Sequence, residues 1–262
     1  MKAENAPDDW KDYDEFAAGI DTNRLPHSED LVGRTLDIEL KSGRGFALTF
    51  TGKHELELFE DGAASSEWCE VVQVADNTFF VDLTIAAAPK EAETLIVNLE
   101  TRRVLSIRCR IRDEGEAPGE PRVAQDYVPG ILKGGAVTGI EPHETRDLIG
   151  LRAFYDYSPN HVYEHIYLSS TRYGWQNLVG VQRGHGDTDL ATTIKFAENQ
   201  YVFGFREFII PVASVFFYGW HNMRSTGKFL GVAGDGSIQN NAAGATIQKA
   251  SMTFYNSGQQ PV

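Results

Sequence analysis

TLDIEL at residues 35–40, GFALTF at 45–50 and HELEL at 54–58 alternate apolar side chains with polar or small ones. WCEVVQV at 68–74, NTFFVDLTI at 77–85, ETLIVNL at 93–99 and VLSIRCRI at 104–111 continue the series. An extended backbone sends successive side chains to opposite faces, so a period of two buries one face and leaves the other to solvent. Short runs of this kind, separated by Gly, Asp, Asn and charged turns, predict an antiparallel all-β sandwich or barrel. Helical periodicity is absent from this stretch.

Upstream, DDWKDYDEFAAGI at 8–20 places Trp10, Tyr13, Phe16, Ala17 and Ile20 at steps of three and four. With Asp8 or Asp9 in position to cap, a short amphipathic helix is expected within an N-terminal segment, residues 1–30. Its apolar stripe needs a partner, and an open barrel mouth is one suitable seat. Downstream, residues 113–146 hold DEGEAPGEP, VPG, KGGAVTG and EPHE, a density of Pro and Gly that predicts a linker without regular structure. Tyr127, Val128, Ile131 and Leu132 are nonetheless apolar enough to dock on a barrel.

Residues 147–262 loosely repeat the first series. Leu31-Val-Gly33 corresponds to Leu148-Ile-Gly150, 117 positions on, and NTFFV at 77–81 to NQYVF at 199–203, 122 positions on. Each copy also has a strand around a tryptophan, Trp68 or Trp175. Matched landmarks at a drifting offset predict two copies of one β-meander, with a single larger barrel as the alternative. The expected division is a helical segment at 1–30, a first barrel at 31–112, a linker at 113–146 and a second barrel at 147–262.

Of the 262 residues, 42% are hydrophobic and 23% charged, which excludes collagen, coiled coil and disorder. Lys plus Arg number 24 against 37 Asp plus Glu, a net charge of −13 that repels phosphate backbones and anionic lipid. Neither nucleic acid nor membrane is expected as a partner. The excess lies entirely in residues 1–146, with 29 acids and 16 bases, whereas 147–262 hold 8 of each. The longest apolar run, FIIPVASVFFYGW at 208–220, is too short to span a bilayer and is broken by Pro211. The acidic N-terminal stretch has no apolar core of a secretory signal, so a cytoplasmic address is expected. Cys69 and Cys109 are then expected as small apolar side chains, not a disulfide.

The stretch PHETRDLIGLRAFYDYSPNHVYEHIYLSSTRYGWQNLVGVQRGHGDTD at 142–189 resembles the MoaF family, named for molybdenum cofactor biosynthesis. FREFIIPVASV at 205–215, RSTGKFLG at 224–231 and DEFAAGIDTNRLPHSEDLVGRTL at 14–36 extend the resemblance over most of the chain, with YEHIYLS and RSTGKFLG its most specific parts. The resemblance implies two lipocalin-like, calycin-type barrels in tandem. Phenolic acid decarboxylases, which are cofactor-free calycin enzymes, are an architectural analogy only. The chain carries no CxxC iron–sulfur motif and no GxGxxG phosphate loop, and the family offers no catalytic set to carry over.

Of the 29 aromatic residues, 19 fall in 147–262, which points to the second half for a pocket. On one strand His161, Tyr163, His165 and Tyr167 share a face opposite Val162, Glu164, Ile166 and Leu168. With the His/Tyr face in a lumen, a planar ligand meets rings, donors and acceptors. With the aliphatic face inside, those residues form an exposed ladder and Glu164 is the buried exception. HVYEH at 161–165 matches an inverted zincin string, but on a strand the two histidines stand roughly 13 Å apart, beyond the reach of one zinc. HGDTD at 185–189 reads as a tight turn. No metal or cofactor is expected.

Tyr201, Phe203, Phe205 and Glu207 share a face, and a carboxylate that continues an aromatic stripe is desolvated and suited to acid–base work, unless it is a rim residue. Trp220 lies on a strand apolar on both faces; His221 beyond it and Arg206 nearby are candidates for holding an anionic group. Tyr155 and Tyr157 share a face and line either the pocket or an interface between barrels. These residues predict a cofactor-independent lyase or isomerase acting on a small aromatic molecule in the C-terminal barrel. Glu207 and His165 are its proton-moving residues. Tyr155, Tyr157, Tyr163, Tyr167, Trp175, Tyr201, Arg206, Trp220 and His221 bind the ligand. The alternatives are a carrier that holds an aromatic or pterin-like molecule unchanged, and an interaction module using the acidic first half. Phe46, Phe50, Phe79 and Val81 are expected to fill the first barrel.

Overall fold

The computed structural model describes residues 7–262, so residues 1–6 of the expected N-terminal segment lie outside the described residues. Strands β1 (Thr35–Leu40), β2 (Gly45–Gly52), β3 (Glu55–Glu60), β4 (Ala63–Ala75), β5 (Thr78–Thr84), β6 (Glu91–Asn98), β7 (Arg103–Ile111) and β8 (Val123–Leu132) form a closed antiparallel barrel. A two-residue strand β9 (His143–Glu144) follows. The second barrel comprises β10 (Leu151–Ser158), β11 (His161–Tyr167), β12 (Arg172–Val179), β13 (Gly186–Ala197), β14 (Gln200–Arg206), β15 (Val212–Gly219), β16 (Arg224–Val232) and β17 (Ile238–Met252). It closes through β12 pairing with β13, while β9 lies along the outer part of β13. Among the described residues no helix is long and apolar enough to cross a membrane.

Residues 113–146 are not an unstructured linker throughout, because β8 is the strand that closes the first barrel. Pro129 stands one residue outside the β1–β8 register, the edge position that a strand proline tolerates. At Gly130 a Cβ would lie 2.7 Å from Leu40 Cδ2 and 2.8 Å from the Glu39 carbonyl, so this glycine permits close approach of two strands and does not break one.

The internal repeat is real at the level of single hydrogen bonds. Gly33 donates its N–H to the Phe50 carbonyl at 2.8 Å, and Gly150 donates to Tyr167 at 2.8 Å, both glycines with φ near +80 to +90°. Asn77 and Asn199 occupy left-handed turns at φ 54° and 59°, and their carbonyls accept from Leu99 and Trp220. Asn tolerates that conformation better than most residues. The tryptophans are not equivalent: Trp68 is exposed on the fourth strand of its barrel, and Trp175 is buried on the third strand of the other.

Leu36, Ile38, Leu48, Leu95 and Val97 join Phe46, Phe50, Phe79 and Val81 in filling the first barrel's core. A second apolar layer, with Phe80, Ile96, Ile107 and Cys109 facing Val202, Val215, Phe217 and Leu230, glues the barrels together. Cys69 and Cys109 are both buried and unpaired. Within this interface the Lys228 ammonium pairs with the Asp82 carboxylate, both nearly fully buried. Gly204 is where Tyr127 of the first barrel meets the wall of the second: a Cβ there would collide with the Tyr127 hydroxyl and sit 2.9 Å from Gln125 Oε1. Gly204→Ala is therefore expected to destabilise the chain by about 1–3 kcal/mol through overpacking. Thermal unfolding checks this, with Tyr127→Leu in the same chain expected to restore most of the loss.

The helix α1 (Tyr13–Ala17) is shorter than its periodicity predicts. Asp12, not Asp8 or Asp9, is its N-cap, with Glu15 accepting from the Asp12 N–H at 2.9 Å, and Gly19 at φ +81° turns the chain away. The whole apolar stripe is used nevertheless. Trp10, Tyr13, Phe16 and Ile20 are buried in the aromatic core of the second barrel, where they close one of its mouths.

Candidate functional site

Along β11 the His/Tyr face points inward: Tyr163, His165 and Tyr167 join the lumenal core, and Glu164 turns outward to Arg152 and Gln176. Beneath the N-terminal segment lies a cavity of about 30 Å³ lined by Phe16, Ile20, Tyr157, Tyr163, His165, Tyr173, Trp175, Gln182, Phe205, Glu207 and Phe229. Its floor is a layer of fully buried tyrosines. The Tyr155 and Tyr167 hydroxyls are 2.6 Å apart, and Tyr167 donates onward to Tyr218 at 3.2 Å.

The lid is held at several points. Tyr13 donates its hydroxyl to the Phe229 carbonyl at 2.9 Å, and Phe16 meets the Phe229 ring edge-on. Trp10 stacks on His185 at 5.2 Å, and the Asp9 carboxylate lies 3.1 Å from His185 Nε2, a hydrogen bond that holds Asp9 below the usual carboxylate range.

Glu207 follows directly on β14 and is buried on the cavity wall. Among the described residues it accepts no side-chain hydrogen bond. Burial, and then the charge of Asp189, pushes its pKa well above that of an ordinary Glu. Asp189, on β13, is 1% exposed and accepts from Trp175 Nε1 at 2.9 Å. Burial raises it to about 7 despite that bond. Two desolvated carboxyls on neighbouring strands thus act on each other, Glu207 on the cavity wall and Asp189 behind the Trp175 indole, and no Lys or Arg lines the cavity. His165 is fully enclosed, and burial lowers its pKa to about 3, so its imidazole is neutral; its Nδ1 has no hydrogen-bond partner among the described residues. It packs on Tyr155 with ring centroids 4.2 Å apart. Tyr163 donates to Gln182 Oε1 at 2.7 Å.

Of the residues singled out from the sequence, Tyr157, Tyr163, His165, Trp175 and Glu207 come together at this cavity, with Tyr155 and Tyr167 in the layer beneath. The others do not. Tyr201 and Trp220 line a separate groove with Asp147, Leu148 and Lys249, where the Lys249 ammonium covers the Trp220 ring at 4.6 Å. Arg206 sits on the opposite face of β14 from Phe205 and donates to Gln125 Oε1 of the first barrel at 3.0 Å and to Thr192 Oγ1 at 3.1 Å. His221 is exposed beyond β15. Neither can orient an anion in this cavity, because strand alternation and the chain reversal carry them out of it.

Tyr173 and Gln182 line the cavity and Asp189 stands behind it on the Trp175 indole, and none of the three is singled out by the sequence. HGDTD at 185–189 reads as a turn in the sequence, whereas β13 begins at Gly186 and carries Asp189 inward. Tyr173 shares the face of Trp175, a period-two signal that was available, while Gln182 lies in the connection after β12, where no periodicity announces it.

Comparison with known proteins covers both barrels. Residues 8–113 match the MoaF N-terminal domain and residues 142–253 the MoaF C-terminal domain. The chain is 30% identical over 232 residues to "Protein MoaF" of Klebsiella aerogenes, covering 82% of this chain and 88% of that one. A solved structure of "a putative beta-lactamase from Burkholderia vietnamiensis" aligns at 13% identity and a TM-score of 0.34 over 41% of this chain and 99% of its own, a similarity too low to bear on function. Two matched domains, one for each barrel, and a relative aligned through most of both make the chain a member of the MoaF family.

Proposed function

We propose that the C-terminal barrel binds a small aromatic molecule in the cavity beneath the N-terminal segment and moves a proton on it, as a cofactor-independent lyase or isomerase. The observation that carries this reading is a buried Glu207 on the aromatic cavity wall, with the buried Asp189 carboxyl of the neighbouring strand acting on it by charge. Two like charges so close in low dielectric cannot both ionise readily, so one carboxyl keeps its proton and the other gives it up. Such a pair supplies an acid and a base together, as an elimination or a proton shift requires. Glu207 faces the ligand, Asp189 sets its proton affinity, and neutral His165 and the Gln182 amide orient the substrate. The family is named for molybdenum cofactor biosynthesis, and that name supports a heteroaromatic small molecule as the ligand.

The test is native mass spectrometry against a set of aromatic and heterocyclic metabolites, with the released compound weighed and its retention measured. A product of altered mass or retention is expected from the wild-type chain, and Glu207→Gln is expected to bind but turn over about 10²-fold or more slowly. Full turnover by Glu207→Gln removes this role. A second reading, a carrier that holds an aromatic or pterin-like molecule unchanged, is favoured by the closure of Phe16 and Ile20 over the cavity. A ligand released unaltered by the wild-type chain selects it.

A further inference from the structure

We infer that the cavity selects a planar 2-amino nitrogen heterocycle, hydrogen-bonded edge-on to Glu207, and rejects anionic aromatic acids. This rests on the cavity-binding part of the reading above and is independent of whether the ligand is turned over.

The polar groups left unmet around the cavity decide what it can hold. The lining residues include no Lys or Arg. Arg206 is turned to the first barrel, and Arg172, whose charge acts on Asp189, lies over the Phe208 ring at 5.2 Å. An anionic ligand would therefore add negative charge beside two carboxyls in a desolvated space with nothing to pair it. Glu207 receives no hydrogen bond from any described side chain or backbone group, so both its oxygens are left for a ligand. Tyr163 already spends its proton on Gln182, and Trp175 spends its indole N–H on Asp189. What remains beside His165 Nδ1 and the Gln182 amide N–H is the Glu207 carboxyl, with one donor and one acceptor when protonated, or two acceptors when ionised.

A ring nitrogen beside an exocyclic amino group matches both states. With the carboxylic acid, the acid O–H donates to the ring nitrogen and the amino N–H donates to the carbonyl oxygen. If the proton crosses to the ring nitrogen, both hydrogen bonds persist as a bidentate carboxylate pair, and no net charge enters the cavity. Tyr157, Tyr173, Trp175 and Phe205 supply the flat apolar walls. A bicyclic ring exceeds the cavity of about 30 Å³, so Phe16 and Ile20 swing outward to admit it.

The experiment titrates the full-length protein with 2-aminobenzimidazole, with 2-methylbenzimidazole, which keeps the shape and loses the amino donor, and with 4-hydroxycinnamate as the anionic aromatic. Calorimetry and tryptophan fluorescence report binding. The amino compound is expected to bind at least about tenfold more tightly than its methyl counterpart, the cost of one unmet hydrogen bond in a buried site. 4-Hydroxycinnamate is expected not to bind. Glu207→Gln, which offers the same donor and acceptor pair, is expected to keep most of the affinity, and Glu207→Leu to lose at least about tenfold; near-UV circular dichroism confirms that both variants fold. Equal binding of the amino and methyl compounds, retained affinity in Glu207→Leu, or preference for 4-hydroxycinnamate overturns the inference, and the last of these leaves the proposed cavity intact. Failure of all three compounds to bind overturns the inference together with the cavity.

Discussion

Lys228→Met is expected to destabilise the folded chain by about 3–5 kcal/mol, read as a lower urea midpoint at unchanged slope. Lys228 is 1% exposed and Asp82 3% exposed, and they meet across the interface between the barrels. Asp82 also accepts from Asn240 Nδ2 at 2.7 Å and from Thr94 Oγ1 at 3.2 Å. Removing the ammonium leaves a carboxylate that must either stay charged without a counterion or take up a proton. The pair itself is no large net stabiliser, since burial raises Asp82 above its ordinary range by more than the ammonium pulls it back. The double variant Asp82→Leu/Lys228→Met is accordingly expected to recover most of the lost stability, because two apolar side chains replace two desolvated charges. Equal midpoints for the single and double variants would show that lost packing, not the orphaned charge, sets the cost.

Asp189→Asn is expected to stabilise the protein at pH 8 by a few kcal/mol and to flatten its dependence on pH. Asp189 titrates near 7 in the folded chain, against 3.8 for the free side chain. A carboxyl whose folded pKa is raised gives its full contribution below the unfolded value and loses it as pH rises through the folded one. Stability from this group therefore falls as pH rises from the ordinary carboxylate range toward about 7. Glu207, raised in the same direction, extends the fall to higher pH. Asparagine reproduces the neutral carboxyl and still accepts from Trp175, so the variant escapes the loss. Melting temperatures measured from pH 4 to pH 8 test this; parallel curves for the two proteins would mean that Asp189 does not set the slope. If the proposed activity is present, a stabilising change here that weakens it is the pattern of a site held in a costly arrangement for its chemistry.

Period-two alternation was enough to read the strands between residues 35 and 111, because each has one face in a packed lumen. β8 escaped the same reading. Pro129 and Gly130 look like breakers in isolation, and only the position of β1 shows that one stands at the end of a ladder and the other at a close crossing. For β11 alternation separated the two faces without saying which is inside, since each mixes apolar and polar side chains; barrel closure decides it. The placement of Arg206 beside the ligand ran against the alternation itself, which sets it opposite Glu207. Asp189 was within reach: the turn at Asn199 pairs Leu190 with Arg206, and one step further puts Asp189 beside Glu207. The contact of Trp10 with His185 had no local signal, because it joins segments that only the completed barrel brings together.

That contact has a consequence for the order in which the molecule is made. The segment that caps the second barrel is synthesised before either barrel, while its seat includes Phe229 and strand β17, which emerge only after the first barrel and most of the second. Tyr13 and Phe229 are 216 residues apart. The first barrel holds all eight of its strands by Leu132 and can close while synthesis continues. Trp10, Tyr13 and Phe16 must wait unburied while more than 200 further residues are made, so the nascent chain carries a sticky aromatic segment that is withdrawn only when β16 and β17 dock.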